Sequence, residues 1–394
     1  MSSTLSSGRN PWPTFAAGAW TLALLFALAS CRDPYMPPAI TLPNHFLVVD
    51  GFVNASPDTS WILLSRTANL SDTQQHRPET GAIMTLEDKN GTVIRTFLDE
   101  GDGRYMLPPF ALPSAMQYRL SIKTTDGGRY ASDPVPVKIS PPIDSLFFTQ
   151  DGDVTIYAAT HDASNSTRYY KWQYREDWEY DSYYNSLIGY DIDNHVLYHK
   201  TADQLTTQCY RSAISSDIMI ATTVRQAVDR VDSQLLIRIP VNTERLVTRY
   251  SIEVTQFGLS EQAFEYWQQL RKNANQLGTL FDPLPSTVTG NFHDLTHPDR
   301  PVLGLFSVMA PSRIRIFIRN QQVAPWALPG QSKTCSTPTF TVEDSAAYYL
   351  YDPKWQPAYY ITNLTGGPRG LAVAPQECVD CRVHGGVTTK PAFW

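Results

Sequence analysis

The sequence predicts a mostly β protein, and three observations carry the prediction. Short stretches of apolar and β-branched residues alternate with clusters of Gly, Asp, Asn and Pro, at the roughly 8–12-residue spacing of strands and turns in a β-sandwich. The composition is low in charge, at 18%, and rich in aromatics, with 21 Tyr and 9 Trp. Such side chains suit half-buried pleated surfaces better than helix exteriors. Helical periodicity is sustained over one long stretch, about residues 260–278. At 394 residues the chain is long enough for two domains, since a domain takes ~100–200 residues. The expected pair is an immunoglobulin-like β-sandwich over residues 45–140 and a larger β-rich domain over residues 141–394. The second holds the helix and a cysteine-containing tail.

Residues before 45 read as a leader and a tether. The uncharged apolar run from Phe15 to Ala29 is too short for a spanning helix, which needs ~20 apolar residues, and has the length of a signal-peptide core. It ends in Leu28-Ala29-Ser30-Cys31, which reads as a lipobox. Residues 1–30 are then a cleaved lipoprotein signal peptide, and the Cys31 sulfur takes a lipid. Two or more acyl chains on one cysteine make a stable anchor. Residues 31–44 carry four prolines and form an extended tether. The formal net charge of −6, with no basic cluster, excludes a nucleic-acid partner, because phosphate neutralisation needs a basic surface.

In the first domain, His45–Val53 and Trp61–Ser65 read as strands. Ala82–Glu87 and Thr92–Leu98 flank Asp88-Lys89-Asn90-Gly91, whose Asn-Gly suits a hairpin turn. Asp99–Gly103 is the next turn; it has oxygen ligands but not the longer pattern of a calcium loop. Tyr118–Thr124 alternates and turns at Asp126-Gly127-Gly128, and Pro134, Pro136, Pro141 and Pro142 mark the exit near residue 140. In the second domain, the aromatic run Tyr169–Tyr190 begins with Tyr170-Lys171-Trp172-Gln173-Tyr174-Arg175, a strand with one aromatic face. Leu235–Val241 and Tyr250–Thr255 are further strands, and Leu303–Val308 with Arg313–Ile318 reads as a strand pair. The helix takes Ser260 as its N-cap, Glu261 at its positive end and Gly278 as its stop. Ala263, Tyr266, Trp267, Leu270, Ala274 and Leu277 fall on one helical face and read as core packing.

With Cys31 assigned to lipid, Cys209, Cys335, Cys378 and Cys381 remain. An even number in an oxidising compartment reads as two structural disulfides, with three possible connectivities. Cys378-x-x-Cys381-x-x-His384 also has the spacing of a metal corner or a redox pair, but the extracytoplasmic placement favours disulfides pinning a core-poor tail. His293-Asp294-x-x-His297-Pro298-Asp299 has no third ligand at fixed spacing and reads as a polar loop. The sequence has no G-x-S-x-G elbow, P-loop or dinucleotide fingerprint. The expectation is therefore a protein that is not an enzyme, holds no metal and carries no cofactor beyond the covalent lipid on Cys31. Trp178, Tyr180, Tyr183 and Tyr184 exceed simple alternation and mark a candidate aromatic binding surface. Exposed Tyr and Trp stack on sugar rings or anchor protein partners.

Several short segments, in order, resemble a family of Bacteroidota lipoproteins known as domain-of-unknown-function family 4249. They are the lipobox with Asp33-Pro34-Tyr35, Leu47-Val48-Val49-Asp50-Gly51, Tyr250-Ser251-Ile252 with Val254-Thr255-Gln256, and Leu259-Ser260-Glu261-Gln262-Ala263 with Tyr266-Trp267. Next come Phe281–Ser286 with Gly290-Asn291, then Leu303-Gly304-Leu305-Phe306, and finally the tail from Cys378-Val379-Asp380-Cys381 to Trp394. The resemblance implies a lipid-anchored protein of the outer membrane, facing the periplasm or exposed at the cell surface. It also implies a binding or accessory role beside a TonB-dependent transporter. A structural or adhesive cell-surface protein is the alternative, and a surface hydrolase a third reading. The resemblance supplies no catalytic residues.

Overall fold

Alternation along the first strands dictates the first core. In Leu47–Asn54 and Ser60–Arg66, the side chains of Leu47, Val49, Ile62 and Leu64 turn inward, while Asp50 and Trp61 face out. These strands belong to a sheet of thirteen. Residues from its opposite halves meet in one core, where Leu47, Val49 and Tyr105 pack with Met84, Leu120 and Ile122. The sheet thus doubles over into a β-sandwich. The structure, a computed structural model, describes residues 45–68, 77–275, 288–326, 335–340, 350–362 and 368–394. The lipobox, Cys31 and the tether lie outside these residues.

The turns form as their side chains require. Ile83–Asp88 pairs with Val93–Thr96, and Asp88 Oδ1 accepts from the backbone N–H groups of Asn90 and Thr92, both at 2.8 Å. Asp99 Oδ1 accepts from Gly101 N–H at 2.8 Å, so this segment is a hairpin turn organised by its own carboxylate. Asp294 does the same for the histidine loop, accepting from Thr296 and His297 N–H at 2.8 Å.

Residues 292–310 return to this sandwich from far along the chain. Phe292–Asp294 pairs with Arg129–Ser132, and Leu303–Gly304 and Val308–Ala310 run parallel to Leu47–Asn54. The backbones approach closely. A Cβ on Gly304, whose φ is +126°, would lie 2.0 Å from the Val49 carbonyl oxygen. One on Gly290 would lie 1.5 Å from the Gly304 carbonyl oxygen. The Asn291 side chain accepts from Phe306 N–H at 2.8 Å and donates to Phe306 C=O at 3.0 Å. The expected strand pair is therefore corrected: Leu303–Val308 does not pair with Arg313–Ile318. The second segment, within Ser312–Arg319, joins Arg249–Gly258 in another sheet. Pro311 lies between them and cannot donate a ladder hydrogen bond; the chain changes sheets there.

A second sandwich follows. Its five-stranded sheet has Tyr169–Asp181 between Gln208–Ile214 and Arg249–Gly258, with Ser312–Arg319 beyond. A three-stranded sheet of Ile143–Asp151, Asp153–His161 and Arg230–Ile239 covers it. Tyr170, Trp172 and Tyr250 are fully buried between Val154, Ile156 and Leu236. Two of the carboxylates buried in this region are neighbours on Tyr169–Asp181. Glu176 receives Arg245 at 2.9 and 3.0 Å and the Tyr250 hydroxyl at 3.0 Å. Asp177 receives Ser212, with Arg175 and Arg315 each at 3.1 Å.

The helix Glu261–Asn275 bridges the two cores. Ser260 Oγ accepts from Ala263 N–H at 3.2 Å, capping it as expected. Ala263 and the unforeseen Phe264 are buried, Tyr266, Trp267 and Leu270 are half-buried, and Ala274 is exposed; Leu277 and Gly278 lie outside the described residues. Phe264 and Trp267 pack with Phe52 of the first sandwich and Phe257 of the second. The Lys171 ammonium sits 3.8 Å over the Trp267 ring. A small sheet of Thr339–Phe340, Trp355–Thr362 and Pro368–Pro375 precedes the C-terminal tail. The mostly β class holds, with one long helix among the described residues.

Candidate functional site

The sequence-predicted residues converge where the aromatic strand Tyr169–Asp181 runs past its sandwich and meets the C-terminal tail. Even-numbered side chains of this strand point inward, so Trp178 and Tyr180 are only 4% and 5% exposed. Trp178 Nε1 donates to Glu244 at 3.1 Å, and its ring lies under the guanidiniums of Arg211 and Arg245. Tyr180 donates its hydroxyl to the Cys381 carbonyl at 2.7 Å. The strand then turns. Tyr184 N–H reaches the Cys378 carbonyl at 2.8 Å, and its hydroxyl reaches the Cys335 carbonyl at 2.6 Å. The expected four-residue aromatic surface is thus corrected. Three of the four rings hold the protein's own chain, and Tyr183, 41% exposed, is the one that faces solvent. Burial wins because the tail supplies carbonyl acceptors for the phenols, which could not be buried unpaired.

The four cysteines form two disulfides, Cys209–Cys381 and Cys335–Cys378. Cys378 and Cys381 are not bonded to each other. No group of three or more His, Cys, Asp or Glu able to hold a metal occurs among the described residues. Beyond Cys381 the tail adds a backbone bridge from Val387 to Tyr210. Its last residues clamp the outer sheet face: Phe393 lies 3.6 Å under the Arg315 guanidinium, and Trp394 Nε1 donates to Glu179 at 2.8 Å. The sequence reading missed this clamp, whose signal was an aromatic pair closing a tail that has little core of its own.

Between this pinned tail and the end of the aromatic strand lies an open cleft of about 620 Å³. Its lining includes Asp181, Ser182 and Asn185 from the end of the aromatic strand and the turn after it, Asp203 and Thr207, and Thr388 and Thr389 of the tail. Burial and the neighbouring Glu179 push the Asp181 carboxyl above the usual carboxylate range. A hydrogen bond from Thr201 holds Asp203 below it. Among the described residues, no Lys, Arg or His lines the cleft. The arrangement offers hydrogen-bond donors and acceptors on one polar surface. Sequence reasoning did not assemble this cleft, since its walls lie on segments far apart in the chain.

Fold and site together define a disulfide-stapled protein of two β-sandwich cores with a polar cleft. The chain belongs to the family described as Domain of unknown function (DUF4249), which matches residues 32–315. Leu47–Gly51, Gly290-Asn291 and Leu303–Phe306, among the segments on which the resemblance rests, meet at the close backbone contact around Gly304. Comparison with curated proteins finds no match. A solved structure from Corynebacterium diphtheriae, described provisionally as a membrane anchored protein, is 11% identical, with 66% of this chain covered and a TM-score of 0.17. The present chain spans 60% of that protein, and a likeness so distant carries no argument.

Proposed function

We propose that this chain is a lipid-anchored lipoprotein of the outer membrane or cell surface, acting as a binding and accessory component beside a TonB-dependent transporter. The observation that carries the reading is the cysteine pattern. Cys31 alone follows a lipobox, and the other four cysteines are all paired in disulfides, as suits an oxidising compartment. Among the described residues no helix is long and apolar enough to cross a membrane, so in this reading the lipid on Cys31 is the attachment. The cleft acts by capture, with no covalent chemistry and no cofactor.

Two measurements test the reading. Cys31→Ala is expected to move the protein from the membrane fraction to the soluble fraction; a variant that still pellets with membranes refutes the anchor. Affinity purification from detergent-solubilised outer membranes is expected to bring down a TonB-dependent transporter in stoichiometric yield. Its absence refutes the accessory role and leaves the structural or adhesive alternative.

A further inference from the structure

We infer that the cleft binds a polyhydroxylated ligand, a short saccharide, through the open amide and hydroxyl groups of Asn185, Thr388 and Thr389. The inference rests on the binding role proposed above and names the ligand class for that site. Size permits it: the cleft holds about 620 Å³, within the roughly 300–1,000 Å³ of small-molecule sites.

The lining decides the chemistry. Most lining residues are polar, and none is basic. Phosphates, carboxylates and acidic sugars would meet Asp181 and Asp203 with no cation to offset the repulsion. Large aromatic ligands would find no ring to stack on. A divalent cation would lack the cluster of ligating side chains it needs. An amide and two hydroxyls, each able to donate and to accept, match sugar hydroxyls, which do the same. Leu187, 50% exposed, and Leu205 give the C–H face of a ring an apolar contact.

The site is also preformed. The tail segment bearing Thr388 and Thr389 is fixed on one side by Cys209–Cys381 and the Tyr210–Val387 bridge, and on the other by the Phe393–Trp394 clamp. A wall held at both ends loses little freedom on binding.

The test uses the full chain purified in detergent. It is screened on an array of neutral and amine-bearing mono- to tetrasaccharides and then titrated calorimetrically with the best binder, with spermidine and with trialanine. At least one saccharide is expected to bind more tightly than spermidine or trialanine. The Asn185→Ala/Thr388→Val double variant, with its thermal unfolding unchanged, is expected to weaken that binding at least about tenfold through the lost hydrogen bonds. Thr389→Arg, which adds bulk and a cation to the wall, provides a second variant and is expected to abolish binding. An array with no binder, binding untouched by these variants, or tighter binding of spermidine or trialanine overturns the inference. None of those results bears on transporter co-purification, so the two readings fail separately.

Discussion

Removing the Cys209–Cys381 disulfide is expected to cost a large share of the protein's stability. The bridge spans 172 residues, and Cys335–Cys378 spans 43 residues nested within it. With the inner bridge intact the outer loop is effectively 172 − 43 = 129 residues. Loop-closure entropy then gives about 5 kcal/mol for the outer bridge and about 4 kcal/mol for the inner one. Because the dependence is logarithmic, the shortcut changes the first figure little. Against a total stability of ~5–15 kcal/mol, the outer bridge alone carries a third or more. The variant should be Cys209→Ala/Cys381→Ala, since both positions are fully buried and serine would bury an unpartnered hydroxyl. Urea unfolding at equilibrium reads the change, with the slope expected to rise as the unfolded chain expands. Amide exchange should show protection lost at Val387, whose N–H bonds to Tyr210 in the intact tail. A stability change under about 1 kcal/mol, with Val387 still protected, would refute the reasoning, because it would mean that the tail docks without its staple.

Three further outcomes follow from the same structure. Gly304→Ala places a Cβ 2.0 Å from the Val49 carbonyl oxygen at a positive φ, and is expected to lower stability by at least about 2–3 kcal/mol; an unchanged melting temperature would contradict the close approach. Arg245→Ala leaves Glu176 buried without its bidentate partner and is expected to cost ~3–5 kcal/mol, whereas Glu176→Gln/Arg245→Met should cost less, as denaturant midpoints would read. Burial holds the Lys171 ammonium down to about 8, with Asp50 pulling it partly back. Since the unfolded chain keeps that proton to about 10.4, stability should rise as pH increases through this window, by about 3 kcal/mol. Relative to Lys171→Met, the stability of the native protein should grow over the same range, and a flat difference between the two would show that the Trp267 contact, worth ~1–2 kcal/mol, offsets desolvation.

What was legible in the sequence was local. Asp88-Lys89-Asn90-Gly91 specified its hairpin because the turn residues and the Asp88 cap act within five positions. Tyr170, Trp172 and Tyr174 were assignable to one face because strand alternation is a backbone property. The helix start at Ser260 was readable from its cap. What was not legible needed distant partners. Nothing within Leu303–Val308 says that its neighbour is Leu47–Asn54 rather than Arg313–Ile318, since parallel pairing carries no turn signal. Trp178 and Tyr180 looked surplus to the sandwich core because the groups that bury them, Glu244 and the Cys381 carbonyl, lie 66 and 201 residues away. The cysteine count allowed two bridges, but only the fold selects Cys209 with Cys381.

The same distance shapes how the cleft can work. Asn185 and Thr388 line the cleft from two segments, joined by Cys209–Cys381, by the Tyr180 hydroxyl to the Cys381 carbonyl and by the Tyr184 N–H to the Cys378 carbonyl. Without the staple, closing so long a loop would cost several kcal/mol of chain entropy, of the size worked out above, each time the tail docked. A ligand that touches both walls binds only the docked state. By linkage, whatever factor the disulfide adds to the population of docked tail it adds to the apparent affinity, and the ligand stabilises the docked tail in return. The coupling is measurable from either side. Reduction of Cys209–Cys381 should weaken ligand binding by the reciprocal of the docked fraction of the reduced tail. Ligand should slow amide exchange at Val387 in the reduced protein progressively, as one plus the ratio of free ligand concentration to Kd. If affinity does not fall and the ligand leaves the exchange unchanged, the ligand sits on the 181–208 wall alone, and Thr388 is not part of its site.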